Sequence, residues 1–148
     1  MIISKIAEKI KFVFWPYKIN TFCQPIALEE VLYYLEACLH NKKTEGKIFC
    51  IGGATKLKYY ELLEIYANQI GRKITIIKIP FFPKKIASFF IAKLTNQKFS
   101  LVSSLIESLK YDTLCYDESI KKIFPRKLLL YEESIKRLDN FKISFPLL

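Results

Sequence analysis

Apolar residues recur at helical spacing from the start of the chain. Ile3, Ile6, Ala7 and Ile10 fall on one face, with Lys5, Glu8 and Lys9 opposite, which predicts a helix over residues 3–10. Phe12-Val13-Phe14-Trp15 lacks that period and halts at Pro16, so it reads as a short extended piece. Residues 19–25 read as extended and end at Pro25. The clearest amphipathic helix covers residues 27–40, where Leu28, Val31, Leu32, Leu35, Cys38 and Leu39 line one side. Glu29 and Glu30 fall in its first turn, where the helix dipole favours anions. Lys47-Ile48-Phe49-Cys50-Ile51 is a compact run with the look of a buried strand, stopped by Gly52-Gly53.

A second clear helix covers residues 58–70, with Tyr59, Leu62, Leu63, Tyr66, Ala67 and Ile70 on one face. Gly71 stands where a left-handed C-terminal cap is wanted. Ile74 to Ile79 is β-branched and alternates weakly, so it reads as a strand. Pro83 suits the first position of a helix running to Leu94. Leu101, Val102, Leu105, Ile106 and Leu109 mark another helix. Tyr111 to Tyr116 reads as extended. Asp117 is a natural N-cap for a short helix that ends before Pro125, and a last helix from Tyr131 buries Ile135 and Leu138. The expected class is therefore α/β or α+β: a small mixed sheet of about three short strands packed by helices, with a helical C-terminal part. The chain, residues 1–148, shows no internal repeat and no composition break, so a single domain is expected.

Composition narrows the class without naming a reaction. Hydrophobic residues make up 51% and aromatics 15%, which excludes a disordered chain. The formal net charge is +10. Such a balance fits nucleic acid, an anionic membrane surface or an acidic partner. It also fits the Lys, Ile, Phe, Tyr and Asn excess that AT-rich codons produce. The densest basic cluster is Lys5, Lys9, Lys11 and Lys18, and no long basic stripe with interleaved aromatics appears, so the nucleic-acid signal is not strong. The cysteines, Cys23, Cys38, Cys50 and Cys115, form no Cys-x-x-Cys pair, and His40 is the one histidine, which argues against the usual zinc sites. No cleavable leader is visible, no window supplies the ~20 apolar residues of a spanning helix, and a reducing cytoplasmic setting is the default.

Candidate chemistry is sparse. Gly52-Gly53 after a strand resembles the opening of a phosphate-binding turn, or is a plain turn, since a dinucleotide fingerprint needs a third glycine. Gln24 lies in an extended segment among apolar neighbours; its amide either faces a pocket or bonds backbone in the core. His40 reads as a helix-terminal cap, and Tyr33, Tyr34, Tyr59, Tyr60 and Tyr66 read as core and boundary residues. Glu29/Glu30 and Glu132/Glu133 are adjacent and point apart on a helix, so neither is a paired acid and base. Lys5 and Lys9 read as a solvated helix face.

An ordered series of short motifs is informative. It comprises Gln24-Pro25-Ile26-Ala27, Glu30-Val31-Leu32, Ile51-Gly52-Gly53, Leu57/Tyr59/Glu61 and Gly71-Arg72. It continues through the Ile76–Pro80 strand, the Asp117 helix with its Phe124-Pro125 exit, and the Tyr131-x-x-Ser134-Ile135 helix. This series, over residues 3–138, resembles the C-terminal half of atypical extended short-chain dehydrogenases, the NmrA-like and epimerase-like NAD(P)-binding proteins of bacteria. Lys58 stands where that pattern has a Ser or Thr cap.

The resemblance implies a partial Rossmann-type protein without its dinucleotide half. The family's cofactor turn and its Tyr-x-x-x-Lys pair lie in the N-terminal half. No tyrosine here is followed at the fourth position by lysine, and the glycines at 46, 52, 53 and 71 cannot make the three-glycine turn. In that pair an ammonium lowers the phenol pKa so that it can shuttle a proton. The implied function is the substrate-binding half of an NAD- or NADP-dependent oxidoreductase, inactive alone, with Phe22 and Gln24 as pocket residues, no catalytic residue and no cofactor of its own. The alternatives are one half of a split enzyme acting with a separately encoded Rossmann half, and a basic module for nucleic acid or anionic membrane.

Overall fold

The computed structural model describes residues 2–144, with side chains through Leu138. The element order is α1 (Ile2–Lys9), β1 (Phe12–Pro16), β2 (Phe22–Cys23), α2 (Leu28–Leu39), a 3-10 turn at Lys42–Thr44, β3 (Leu57–Lys58) and α3 (Tyr59–Gln69). It continues with β4 (Thr75–Ile79), α4 (Lys84–Thr95), α5 (Phe99–Ser108), α6 (Ser119–Ile123) and α7 (Tyr131–Ser144). The mixed α and β content matches the expected class. The residues fall into two compact units, each built from two stretches of chain: Met1–Phe22 with Leu57–Asp112, and Cys23–Lys56 with Thr113–Leu148.

The first unit closes a conventional core. β1 and β4 pair in parallel, from Phe12 opposite Thr75 to Pro16 opposite Ile79. Parallel neighbours need a crossover, and α3 is the helix that leads into β4. A two-stranded sheet is marginal alone and needs a helix on its apolar face. Here Val13, Trp15 and Ile76 join Ile6 of α1 and Leu63 of α3 in one cluster, while Phe12 and Phe14 face away. That alternation follows from the two-residue period of a strand. The Trp15 indole donates to Ile19 O at 2.8 Å and meets Tyr60 edge-on, with ring centroids 5.9 Å apart. The Leu57–Lys58 strand pairs with the one that starts at Phe22.

Helix ends are held by specific groups. Gly71 adopts φ +71°, and the Arg72 and Gly71 N–H groups donate to Ala67 O at 2.9 Å and Asn68 O at 3.1 Å, closing α3 as anticipated. At its other end Lys58 occupies the cap position with no side-chain bond. Glu61 compensates by accepting the Lys58 N–H at 2.7 Å. The same device opens α7, where Glu133 accepts from Leu130 N–H at 2.9 Å. Asp117 lies one residue before the α6 cap and accepts both the N–H and the hydroxyl of Ser119 at 2.8 Å.

Three expectations are corrected. Lys5 and Lys9 are not simply a solvated face: they donate to Thr95 O at 2.8 Å and Leu94 O at 3.2 Å, capping the carbonyl end of α4. Two lysines of the densest basic cluster are thereby engaged with the fold itself. Leu138 is exposed, whereas Ile135 is buried as expected. Lys47–Ile51 forms no strand, because no neighbouring strand pairs with it among the described residues.

α4 packs against α1 and α5, its buried residues Ser88, Ala92 and Thr95 are small, and the hydroxyls of Ser88 and Thr95 return to their own helix at Lys84 O and Ile91 O. Glu107 of α5 bridges Lys84 of α4 at 2.7 Å and Lys110 at 2.6 Å. Hydrogen bonds from Lys110 and Lys84 lower its pKa to about 2 from the ordinary 4.5. A lowered carboxylate contributes stability that is complete above pH 4.5 and disappears as pH falls toward 2. The contribution is small at this exposed position. Thermal midpoints of the protein and Glu107→Gln are expected to differ at pH 6 and to converge at pH 2. A gap that persists at pH 2 rules this linkage out.

Candidate functional site

The second unit carries the unusual polar chemistry. Pro25 ends the extended segment after β2, and Gln24 just before it is held by its own backbone, whose N–H donates to Thr113 O at 3.1 Å. Its side-chain amide then joins two stretches of chain that no sheet connects. Nε2 donates to Gly53 O at 2.7 Å, and Oε1 accepts from Cys115 N–H at 3.0 Å. Gly52 and Gly53 are required by this closeness. A Cβ on Gly53 would stand 1.8 Å from Pro25 O; one on Gly52 would stand 2.7 Å from Gln24 Cδ and 3.0 Å from Cys115 Cβ. Both glycines are buried against protein, which accounts for them without a phosphate.

Glu30 is a second internal anchor. It is fully buried, and its carboxylate accepts from Ala27 N–H at 3.3 Å and from Leu129 N–H at 2.6 Å. The first bond is the returning half of a capping box at the start of α2; the second ties that helix to the segment entering α7. Outside, Glu29 pairs with Arg137 at 2.6 Å, and the Arg126 guanidinium lies 4.3 Å from the Tyr33 ring centroid.

Tyr34, Leu35 and Cys38 of α2, with Phe49, Ile51 and Ile120, line a cavity of about 180 Å³. Tyr34 is buried and its hydroxyl has no hydrogen-bond partner among the described residues. Burial raises its pKa against the opposing pull of Lys121, so at neutral pH it is a phenol with a proton to donate. Cys115 is buried beside Cys50. Burial, then the Cys50 thiol, pushes its pKa up to about 11, so it is held as the thiol.

The apolar face of α2 is turned the other way from expectation. Leu28, Leu32, Leu35 and Leu39 are 69%, 55%, 58% and 80% exposed, while Glu30 and Tyr34 are the buried residues of the helix. Residues 47–51 behave similarly. Phe49 and Ile51 turn to the cavity, Ile48 is 98% exposed and Cys50 is exposed. The side chains alternate as in a strand, yet the backbone has no ladder.

Of the two sequence-derived pocket residues, Phe22 belongs to the first unit and Gln24 to the second. The Phe22 ring is exposed, with the Lys58 ammonium 5.6 Å from its centroid, and its N–H donates to Asp112 at 2.7 Å. Gln24 spends its amide inside the chain. Sequence reading missed the burial of Glu30, although Glu at the third position of α2 after an extended Gln-Pro was a signal for a returning cap. It had no signal for the meeting of Cys50 and Cys115. Among the described residues no three His, Cys, Asp or Glu side chains converge as metal ligands, and no helix is long and apolar enough to cross a membrane. No family model and no curated protein matches the chain.

Gln24→Leu preserves volume and strips two buried backbone groups of their partner, at ~1–3 kcal/mol each. A loss of roughly 2–5 kcal/mol is expected in urea unfolding. Tyr34→Phe removes a hydroxyl already without a partner and is expected to leave stability unchanged or higher. A destabilised Tyr34→Phe means that the hydroxyl is bonded in solution.

Proposed function

We propose that this chain is the substrate-side portion of an NAD(P)-dependent extended short-chain dehydrogenase-like oxidoreductase, inactive alone, that acts with a dinucleotide-binding half. One observation carries the reading. The best amphipathic helix and the most strand-like run both leave apolar residues uncovered, and both belong to the same unit. A strand and a flanking helix are the two parts of an α/β layer that a larger sheet would cover. Residues 47–51 alternate in side-chain direction and pair with no strand among the described residues, as an edge does before it joins a sheet. Exposed leucines at 28, 32, 35 and 39 form a continuous stripe of the kind that marks an interaction surface.

In this reading the chemistry of hydride and proton transfer is supplied by the other half, and the present chain shapes the cavity where substrate sits. Of the two pocket residues, the exposed Phe22 ring is the one open to such a contact, whereas Gln24 spends its amide on Gly53 and Cys115. The ordered motif series from Gln24 to Ile135 is the second support.

The test begins with the DNA upstream of this reading frame. A Rossmann-type sequence with a three-glycine turn and a Tyr-x-x-x-Lys pair is expected there in some frame. A polypeptide joining that sequence to this chain is expected to quench or enhance NAD(P)H fluorescence on titration. The chain alone is expected to show no such binding, and Leu32→Glu with Leu39→Glu is expected to weaken binding or folding of the joined protein. Tight NAD(P)H binding by the chain alone, or no such sequence in any frame, overturns the proposal.

A further inference from the structure

Residues 49 and 51 face the cavity, so Cys50 and Gly52 face the opposite side of their segment. On that side stands Cys115, whose Cβ is 3.0 Å from where a Gly52 Cβ would be. Gln24 fixes the spacing of the two stretches by bonding Gly53 O and Cys115 N–H at once. The Cys50 thiol is near enough to raise the Cys115 pKa through a side-chain hydrogen bond, both are free, Cys50 is exposed and Cys115 is buried with its sulfur 3.1 Å from Asp117 O. Cys38 lines the cavity.

We propose that Cys50 and Cys115 are a peroxide-responsive dithiol that closes to a disulfide across the Gln24 clamp. Exposure makes Cys50 the attacking residue, since reaction with peroxide requires access and thiolate. Its thiolate sulfur attacks one oxygen of hydrogen peroxide. An S–O bond forms, the O–O bond breaks, and the departing hydroxide takes a proton to leave as water. Cys50 is then a sulfenic acid. The Cys115 sulfur attacks the Cys50 sulfur, the S–S bond forms, the S–O bond breaks, and the proton of Cys115 leaves with the hydroxyl as a second water. Two thiols are oxidised and one peroxide is reduced. Burial keeps Cys115 protonated and unreactive toward peroxide itself, so it serves as the resolving thiol. The inference is independent of the oxidoreductase reading, because it uses only residues of the second unit.

The test is hydrogen peroxide treatment of the full chain, followed by alkylation and non-reducing peptide mapping. One intramolecular link, Cys50 to Cys115, reversible by dithiothreitol, is expected, with Cys23 and Cys38 still alkylated. Cys115→Ser is expected to leave Cys50 as a dimedone-reactive sulfenic acid or an intermolecular dimer. Cys50→Ser is expected to leave Cys115 unoxidised, and this exposed substitution keeps the test open if Cys115→Ser does not fold. Overturning results are further oxidation of Cys50 to sulfinic acid while Cys115 remains alkylatable, a link through Cys38 or Cys23, or links only between chains.

Discussion

One half-buried amide ties together the stretches of the second unit. A backbone N–H and a C=O removed from water must find partners, and strands normally supply them. At Cys115 and Gly53 no strand does, so the side chain of Gln24 supplies one acceptor and one donor in a single planar group. That constraint propagates. It draws Gly53 so near Pro25 O that no side chain fits there, and it brings Gly52 onto Cys115. It also brings the segment carrying Cys50 beside the buried thiol. Beyond Pro25 the chain enters α2, where Glu30 performs a similar service for Ala27 and Leu129. Two uncommon polar side chains thus do for this unit what a hydrogen-bonded ladder does elsewhere.

The first unit solves the same problem by ordinary means. Its sheet is paired, its apolar faces meet in a core around Ile6, Trp15 and Leu63, and both ends of α3 are capped. The lysines of α1 satisfy orphan carbonyls at the end of α4, an arrangement that combines hydrogen bonding with the helix dipole. Part of the positive charge that composition offers as an anion-binding surface is therefore used in the fold.

The sequence was most legible where burial and local chemistry agree. α3 could be read from Leu62, Leu63, Tyr66 and Ala67 down to its Gly71 exit, because its apolar stripe faces a core within the chain and its terminating glycine needs positive φ. β1 and β4 were legible as extended runs, though their pairing across a long stretch of chain was not. α2 was read correctly as a helix, but its apolar stripe is not the face that the chain buries. Periodicity locates an apolar stripe; it does not say that anything covers it. Lys47–Ile51 failed for a related reason, since strand composition reports a preference for pairing and the ladder needs a neighbour. The roles of Gln24 and Glu30 were hidden because a polar residue among apolar neighbours reads the same whether it bonds backbone or faces a ligand. The contact of Cys50 with Cys115 joins positions far apart in the chain, where no spacing rule reaches.

The polar anchors bear on how the uncovered elements could be used. An unpaired strand and an uncovered helix would ordinarily be free to move, and a partner binding them would have to order them. Here Glu30 fixes the start of α2, and Gln24 fixes the end of the 47–53 segment, whose Phe49 and Ile51 side chains line the same cavity as Tyr34 and Leu35. Preorganisation of this kind lowers the entropic cost of docking without adding any contact to the partner. It also explains why the leucine stripe can remain exposed: the helix is held by its polar face, so its position does not depend on burying the apolar one. A disulfide between Cys50 and Cys115 would act on the same segment from its other side, adding a covalent restraint where the amide already sets the distance.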